Sequence, residues 1–287
     1  MAQFFFVSDL HGNKSRFDKL FRCIEKEKPD AVFIGGDVLP TGLYAFTEEA
    51  GTPADFADQF LIPAFETLRK KMGKDYPPVF LIMGNDDAKV YEPFFRTMDS
   101  MGLLQYMHER KSKVLEYDVY GYSTVPPTPF PLKDWEKYDV SRYVDPGCVA
   151  PEEGRFSVEV NVKHLKYETI EKDLHKLTDG ERLDQGIFLF HTPPYQTLLD
   201  RAGLDGKFYD HVPLDVHVGS IAVRRFIVER KPLVTLHGHI HESTRITGSW
   251  KDTIGTTLCL NASHDGPELS LIRFDPEDLT ANSRELI

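Results

Sequence analysis

Five short apolar runs along the chain each end in residues that can bind a metal ion. The first run leads to Asp9-Leu10-His11, and the next two lead to Gly36-Asp37 and Gly84-Asn85. The last two lead to His191 and to Gly238-His239-Ile240-His241. Apolar runs that are separated by helical patterns predict a parallel sheet with helices over both faces. Because ligands bind outside the carboxyl ends of such strands, we expect these residues to share one rim of the fold.

The seven side chains that can act as ligands are of three chemical types. They are the carboxylates Asp9 and Asp37, the amide Asn85, and the imidazoles His11, His191, His239 and His241. This mixture suits a divalent transition metal. A tetrahedral zinc ion needs four ligands, so seven ligands suit two ions that share a carboxylate. Two ions about 3.5–4 Å apart can hold the attacking and leaving oxygens of an in-line displacement at phosphorus.

Strand and helix patterns alternate along the first half of the chain. The runs 3–8, 31–34 and 79–83 read as buried strands, and apolar residues at helical spacing follow the first of them. Ser15, with Asp18 three residues later, resembles a capping box for that helix, and Asn13 is a second candidate cap.

A second helix is predicted from Thr52-Pro53 onwards, and Pro63 should kink or interrupt it. Segment 113–123 reads as a strand that pairs with residues near 104–108. Ser220 is the predicted cap of a later helix. The other predicted strands are 186–190 and 233–236, followed by antiparallel strands near 244–250, 256–261 and 269–274.

We expect a single domain over residues 1–287, without internal repeats. Two irregular stretches, near 126–160 and 192–219, interrupt the regular patterns. The first is rich in proline, aromatic and charged residues, and long structureless stretches inside a domain are often functional loops. We therefore expect it to form an insertion over the site.

Composition narrows the classes of function. The 287 residues are 41% hydrophobic and 28% charged, as in a folded soluble protein. The formal net charge of -11 disfavours tight binding to long nucleic acid, which needs a basic surface. The three cysteines give no disulfide framework or zinc ribbon. Because neither a signal peptide nor a membrane-spanning run is evident, we expect a cytoplasmic protein without a membrane partner.

In this order, the five motifs resemble those of the calcineurin-like metallophosphoesterase superfamily. The resemblance extends from Asp9 to His241, and the complete ordered set is far more specific than any one motif. It implies an α/β fold, namely a four-layer αββα sandwich in which two mixed β-sheets pack face to face and helices cover the outer faces.

The resemblance also implies a role for each ligand. Asp9, His11 and His241 would bind one metal, and Asn85, His191 and His239 would bind the other. Asp37 would bridge the two ions, which in this superfamily are commonly manganese, iron or zinc. A hydroxide bridging the metals would then attack phosphorus in line with the departing oxygen.

One departure from the superfamily pattern concerns the leaving group. The usual motif is Gly-Asn-His followed by an acidic residue, whereas this chain has Gly84-Asn85-Asp86-Asp87. Asp86 therefore stands where a histidine usually assists the leaving group, and we predict that Asp86 faces the substrate as a catalytic residue. An unperturbed aspartate has a pKa of about 3.9 and is a base at neutral pH. We expect aryl esters to be cleaved much better than alkyl esters. Asp87 is expected to be structural.

A second departure concerns the substrate. Ser/Thr protein phosphatases of the superfamily carry Asp-Arg-Gly after the Gly-Asp motif, but residues 36–42 contain no arginine. The bidentate clamp that arginine offers a phosphomonoester is missing there. This favours a small phosphodiester or nucleotide-like phosphate ester over a phosphoprotein.

Two other functions remain open at this stage. A nuclease of the double-strand-break repair type would share the ligands but conflicts with the acidic charge. A non-catalytic scaffold that kept the fold would be consistent with Asp86 but need not keep all seven ligands. Among the remaining residues, His108 is expected at the surface. The aromatic residues of the insertion would pack on the body of the protein or stack on a nucleobase.

Overall fold

The computed structural model describes residues 2–41 and 53–287, and it contains two six-stranded mixed sheets. The proposed cap residue Thr52 lies outside the described residues. The strands of the first sheet are β1 (Phe4–Val7), β2 (Ala31–Gly35), β3 (Val79–Ile82), β4 (Gln105–Tyr106), β13 (Ser270–Phe274) and β14 (Asn282–Leu286). Those of the second are β5 (Arg110–Val114), β6 (Tyr117–Tyr122), β7 (Gly186–Phe190), β10 (Val234–His237), β11 (Lys251–Ile254) and β12 (Thr257–Asn261). The strand order is β14-β13-β1-β2-β3-β4 in the first sheet and β11-β12-β10-β7-β6-β5 in the second.

Helices and a small hairpin complete the described part of the chain. The helices are α1 (Lys14–Glu27), α2 (Pro53–Phe56), α3 (Ile62–Met72), α4 (Glu92–Ser100), α5 (Val162–Leu165), α6 (Ile170–Leu177), α7 (Ile221–Arg230) and α8 (Ser243–Thr247). A π-helical turn, Ala57–Leu61, joins α2 to α3, and short 3-10 turns span Gly73–Asp75, Lys89–Tyr91 and Pro151–Glu153. The hairpin consists of β8 (Phe208–Tyr209) and β9 (Val212–Pro213). Among the described helices, none is long and apolar enough to cross a bilayer.

Three apolar layers hold the sheets and helices together. Phe4 and Phe6 of β1 face the second sheet, where they join Ile187 and Leu189 of β7 in a shared core. The alternate residue Phe5 points the other way, into a core that α1, α3 and α4 cover. A third core lies between the second sheet and helices α6 and α7. The arrangement is the expected four-layer α/β sandwich, because strands buried on both faces need cover on both.

Strand direction explains why polar residues gather at one edge. In the first sheet β1, β2, β3 and β4 are parallel. In the second sheet β6, β7, β10 and β12 are parallel. The carboxyl ends of β1, β2, β3, β7 and β10 are the points at which the five sequence motifs begin. Both sheets therefore deliver their motifs to a common rim.

Local patterns predicted the caps of two described helices and one helix irregularity. Asn13, rather than Ser15, caps α1, since its side chain accepts a hydrogen bond from the amide of Arg16. The capping box at Ser15 is therefore wrong. Ser220 caps α7 as predicted, accepting from the amide of Val223. Pro63 lies in the first turn of α3, directly after the π-helical turn, so the helix is interrupted there.

Several strand predictions were wrong. Segment 113–123 forms parts of two antiparallel strands, β5 and β6, and β4 pairs with β3 instead. A single bridge between His108 and Gly121 is what remains of the predicted pairing. Segment 244–250 contains helix α8, and β12 pairs in parallel with β10 as well as antiparallel with β11. Pairing between distant strands depends on tertiary packing, which short apolar runs do not encode.

Candidate metal centre

The loops after β1 and β2 run side by side and bring Asp9, His11 and Asp37 together. The amide of Asp9 donates to the carbonyl of Gly36 over 3.0 Å, and the amide of His11 donates to the carbonyl of Asp37 over 2.8 Å. These bonds extend the parallel ladder beyond the ends of the strands. The side chains of both loops are thereby held on the same side of the rim.

Four of the seven expected ligands have left-handed backbone conformations. The φ angles are 56° at Asp9, 46° at His11, 49° at Asp37 and 74° at His239. Such a conformation costs a non-glycine residue about 1–3 kcal/mol and persists only where surrounding structure imposes it. Concentration of this strain at one rim marks the loops as built for a purpose other than stability.

A first group of donor atoms converges near the loop after β10. One ligand atom each from Asp9, His11, Asp37 and His241 lies within 4.8 Å of all the others. Nε2 of His241 is 3.2 Å from Nε2 of His11 and 3.2 Å from Oδ1 of Asp9. Nε2 of His11 is also 3.8 Å from Oδ2 of Asp37.

A second group lies on the other side of Asp37. Nε2 of His191 is 3.1 Å from Oδ1 of Asn85 and 3.4 Å from Oδ2 of Asp37. Nδ1 of His191 is held 2.8 Å from the carbonyl of Gly35, which leaves Nε2 directed at this group. The ring centroid of His239 is 5.2 Å from that of His191. Asp37 thus lies between both groups, where a bridging ligand would be needed.

The charges of these groups depend on one another. Burial alone would raise the pKa of Asp37, but the charge and hydrogen bond of His191, together with His11, lower it to about 2. Burial opposes protonation of His11 and His191, yet the surrounding carboxylates raise the pKa of each to about 9. Burial, reinforced by the charge of His191, lowers the pKa of His239 to about 3. The carboxylates stay ionised at neutral pH, and their field attracts positive charge.

Two glycines allow the loops to approach this closely. A Cβ atom on Gly84 would overlap the carboxylate of Asp37 and lie 2.6 Å from Cε1 of His191. A Cβ atom on Gly238 would overlap the hydroxyl of Ser8 and lie 2.7 Å from Oδ2 of Asp9. Any other residue at either position would push ligands apart.

Residues other than these seven hold the seven side chains in place. The carboxylate of Asp87 accepts hydrogen bonds from the amides of Val38, Leu39 and Gly84, so its role is structural. Burial and repulsion from Asp37 raise the pKa of Asp87 to about 7. Sequence reasoning missed Ser263, whose hydroxyl donates to Oδ2 of Asp9 over 2.7 Å. Ser263 follows β12, and only the parallel pairing of β12 with β10 would have placed it at the rim.

Asp86 lies at the solvent-facing edge of the cluster, and its side chain is 30% exposed. Its amide donates to Oδ1 of Asp37 over 2.8 Å. Its carboxylate oxygen Oδ2 is 3.3 Å from Nδ1 of His11, and Oδ1 accepts from the hydroxyl of Thr41 over 2.9 Å. A carboxylate against the second nitrogen of a ligating histidine fixes the orientation of the ring. The structure therefore places Asp86 where it can act through His11.

A cavity of about 730 Å³ opens beside the cluster at His239. Its walls come mainly from segments 126–148 and 195–221. Within the first segment, Trp135 and Tyr138 are buried, whereas Phe130 and Tyr143 are exposed and line the cavity. The aromatic residues of the insertion therefore divide between packing and the cavity wall.

Two histidines that are not among the seven lie outside the cluster. His108 was expected at the surface, but only 13% of its side chain is exposed, so that prediction was wrong. His237 is fully buried, with Nδ1 2.9 Å from the carbonyl of Thr192, and it faces away from the cluster. Burial lowers the pKa of His237 to about 3, consistent with a neutral structural imidazole.

The donor set fits a pair of divalent cations. All seven side chains that the sequence singled out lie at one rim, in two groups that share Asp37, with His239 placed by its ring beside that of His191. Asp9, His11, Asp37 and His241 could hold one ion, and Asp37, Asn85, His191 and His239 the other. Carboxylate oxygens and imidazole nitrogens directed at shared points are the ligands that such cations prefer.

Known structures with the same fold support this architecture. One solved structure has 18% sequence identity and a TM-score of 0.58, and the alignment covers 99% of this chain and 98% of that one. The protein TT1561 of Thermus thermophilus has 16% identity and a TM-score of 0.54, with coverage of 99% and 98%. Identities this low show the fold alone.

The comparison of sequences is more decisive. No curated protein matches the sequence closely enough to be counted as a relative. A family model described as calcineurin-like phosphoesterase, however, matches residues 2–243. This range contains every residue of the cluster, and it covers most of the chain. The protein therefore belongs to the calcineurin-like phosphoesterase family.

Proposed function

We propose that this protein is a dinuclear metal-dependent phosphodiesterase that hydrolyses a small phosphate ester. The observation that carries the proposal is that all seven proposed ligands lie around Asp37 at one rim. Bound divalent cations would supply Lewis acidity and lower the pKa of a water molecule that attacks phosphorus. Manganese, iron and zinc all suit this mixture of oxygen and nitrogen ligands.

The protein's own groups would orient the reaction. His191 is fixed through Gly35 and His11 through Asp86, so the imidazoles reach the centre in defined orientations. Asp37 is buried and ionised between the two groups, which suits it to bridge them. Asp86 takes the place of a histidine on the substrate side, and because its carboxylate lies 3.3 Å from Nδ1 of His11, we assign it a positioning role through His11.

We infer that the enzyme prefers a diester to a monoester from the scarcity of positive charge near the cluster. A monoester dianion is best held by cationic side chains such as arginine. The segment after Asp37 lacks arginine in the sequence, and the described lining of the adjoining cavity contains neither lysine nor arginine. The net charge of -11 makes long nucleic acid a poor partner for the same reason. The nuclease alternative is therefore disfavoured.

The test combines metal analysis with a substrate panel. The purified protein is expected to retain close to two metal ions per chain and to cleave bis-p-nitrophenyl phosphate in the presence of manganese. Aryl monoesters and alkyl diesters should be cleaved more slowly, the latter because positioned acid catalysis worth about 10²–10⁴-fold is weakened. Asp37→Ala should abolish turnover while circular dichroism stays unchanged. Activity retained by Asp37→Ala without metal would exclude the mechanism, and a folded protein without bound metal would favour the scaffold.

A further inference from the structure

The cavity beside His239 is large enough for the part of a substrate that lies beyond its phosphate. Its volume of about 730 Å³ falls within the range of about 300–1,000 Å³ that is usual for small-molecule sites. His239 and the following Ile240 belong to its wall, so the cavity is continuous with the metal cluster. A phosphodiester bound at the cluster would place one of its alcohols there. This step rests on the proposed phosphodiesterase function.

The cavity is lined by negative charge. Its described lining includes Asp139, Asp145, Asp215 and Glu242, and no lysine or arginine. The carboxylate of Asp139 accepts hydrogen bonds from the hydroxyl of Ser220 and the amide of Ile221 at the start of α7. The hydrogen bonds described for the carboxylates of Asp145, Asp215 and Glu242 include none from the start of a helix.

The hydrogen bonds described for the carboxylates of Asp215 and Glu242 come from neutral groups. Asp215 accepts from the hydroxyl of Tyr195 over 2.6 Å, and Glu242 accepts from the amide of Gly203 over 3.1 Å. Burial, together with repulsion from Asp215, raises the pKa of Asp145. Asp145 and Asp215 both line the cavity, so their negative fields add within it. A second anionic group on the substrate would be repelled from this space.

Aromatic rings lie in the same wall as the carboxylates. Tyr143 and Phe130 are 68% and 56% exposed, so their faces are available to a ligand. The ring of Tyr195 is anchored to Asp215 through its hydroxyl. Aromatic faces combined with carboxylates are a recognised environment for quaternary ammonium groups.

We propose that the cavity binds the alcohol part of a phosphodiester that carries a positive charge, such as a choline-like quaternary ammonium group. The phosphate lies at the metal cluster, and the cation lies among Tyr143, Tyr195, Asp145 and Asp215. Nucleoside polyphosphates are excluded as substrates because their additional phosphates would meet the acidic wall.

A pair of matched substrates tests this proposal. p-Nitrophenylphosphocholine and p-nitrophenyl 3,3-dimethylbutyl phosphate share a leaving group and differ in shape mainly by replacement of the charged nitrogen with carbon. We expect kcat/KM to be about tenfold higher for the choline ester, given the usual strength of cation–aromatic contacts and the tenfold change per 1.4 kcal/mol. Equal rates, or a faster neutral ester, would overturn the proposal.

Variants locate the preference in the cavity. The double variant Asp145→Asn, Asp215→Asn should reduce the preference to about threefold or less, because the aromatic contacts remain. Asp179→Asn removes an exposed carboxylate on the turn before β7, at the other end of that strand from His191, and should leave the preference unchanged. A preference that survives the double variant would contradict the assignment.

A binding measurement separates this proposal from the proposed function. Choline and 3,3-dimethylbutanol can be titrated into the metal-free protein and followed by ligand-observed NMR, which needs no turnover. Choline is expected to bind more tightly, and the double variant should lose the difference. If neither ester is cleaved but choline binds selectively, the phosphodiesterase assignment fails and the cavity assignment stands. If choline does not bind, the cavity assignment fails even where the esters are cleaved.

Discussion

The metal cluster and the cavity beside it are built in opposite ways. The proposed ligands of the cluster follow parallel strands, and backbone hydrogen bonds such as that from His11 to Asp37 hold their loops. The cavity is walled mainly by the irregular segments 126–148 and 195–221. In the cluster, carboxylates lie beside imidazoles, whereas the described lining of the cavity includes Asp145 and Asp215 but neither lysine nor arginine. The strand ends position the groups that would carry out the reaction, and the irregular segments determine which substrate can bind beside them.

Hydrogen bonds nevertheless connect the cavity wall to the cluster. Within the insertion, Lys133 and Glu136 form a fully buried ion pair of 2.5 Å, and Thr128 donates to the same carboxylate. Nε1 of Trp135 donates to the carbonyl of Asp87 over 2.7 Å, and Asp87 in turn holds the loop after β2. A substitution in the insertion can therefore alter the geometry of the cluster, although none of the seven side chains belongs to the insertion.

The largest effect is expected at His239, which is both a proposed metal ligand and part of the cavity wall, so that its replacement tests whether the two regions act separately. His239→Ala removes a ligand and also alters the cavity wall. We expect turnover to fall by more than about 10³-fold, since the lost metal supplies several kcal/mol of transition-state stabilisation. Choline binding should persist, because Asp145, Asp215 and Tyr195 are untouched.

The matched control is His175→Ala, which removes an exposed imidazole from α6. It should leave turnover, metal content and choline binding unchanged. Steady-state kinetics, elemental analysis and ligand-observed NMR on the same samples provide the comparison. Loss of choline binding together with turnover would mean that the two regions do not act separately.

The contrast between strand ends and irregular segments explains which parts of the site could be predicted from the sequence. Asp9, Asp37 and Asn85 each follow a continuous apolar run, and such runs predict buried parallel strands whose ends converge. The rim could therefore be predicted without coordinates. Their ligand roles, by contrast, came from the resemblance and stay predictions until metal is measured.

Other features could not be predicted because they depend on contacts between distant segments. Ser263 reaches Asp9 only because β12 runs parallel to β10, whereas the sequence suggested antiparallel strands. His108 is enclosed by Trp135 from the insertion, a segment without periodicity. The cavity carboxylates lie on two such segments, Asp145 on one and Asp215 on the other, and no local pattern relates them.

A smaller effect is expected when Asp86, at the edge of the cluster, is replaced, and it tests the role of this residue. Asp86→Ala removes the carboxylate that lies 3.3 Å from Nδ1 of His11. We expect manganese affinity and kcat/KM to fall by about 10–100-fold, as is usual when a group that orients a metal ligand is lost. Aryl and alkyl esters should be affected alike.

A control variant probes the support of Asp86 without touching His11. Thr41→Ala removes the hydroxyl that donates to Oδ1 of Asp86 over 2.9 Å, and manganese affinity and kcat/KM are expected to fall by about threefold, because one partly exposed hydrogen bond is lost while the contact between Asp86 and His11 remains. Metal titration and kinetics with both ester types distinguish the roles. If Asp86→Ala leaves metal affinity unchanged and impairs alkyl esters selectively, Asp86 assists the leaving group directly.

The smallest expected effect concerns stability where the insertion meets the second sheet. The ring of His108 packs 4.8 Å from Trp135 and 5.8 Å from Tyr122, and its Nδ1 accepts from the amide of Ser123. Burial, reinforced by nearby Lys89 and other cations, lowers the pKa of His108 well below its ordinary value of 6.5. The folded protein therefore keeps this imidazole neutral, while the unfolded chain is protonated below about pH 6.5.

It follows that His108 lowers stability as pH falls below about 6.5 and has no such effect above it. Each pH unit in which only the unfolded state is protonated removes about 1.4 kcal/mol from the free energy of unfolding. His108→Gln should therefore lose less stability than the parent protein between pH 7.5 and 5, as measured by urea unfolding. His175→Gln, at an exposed position, should match the parent. Identical pH profiles for His108→Gln and the parent would show that water reaches this imidazole, and that the insertion does not seal the edge of the second sheet.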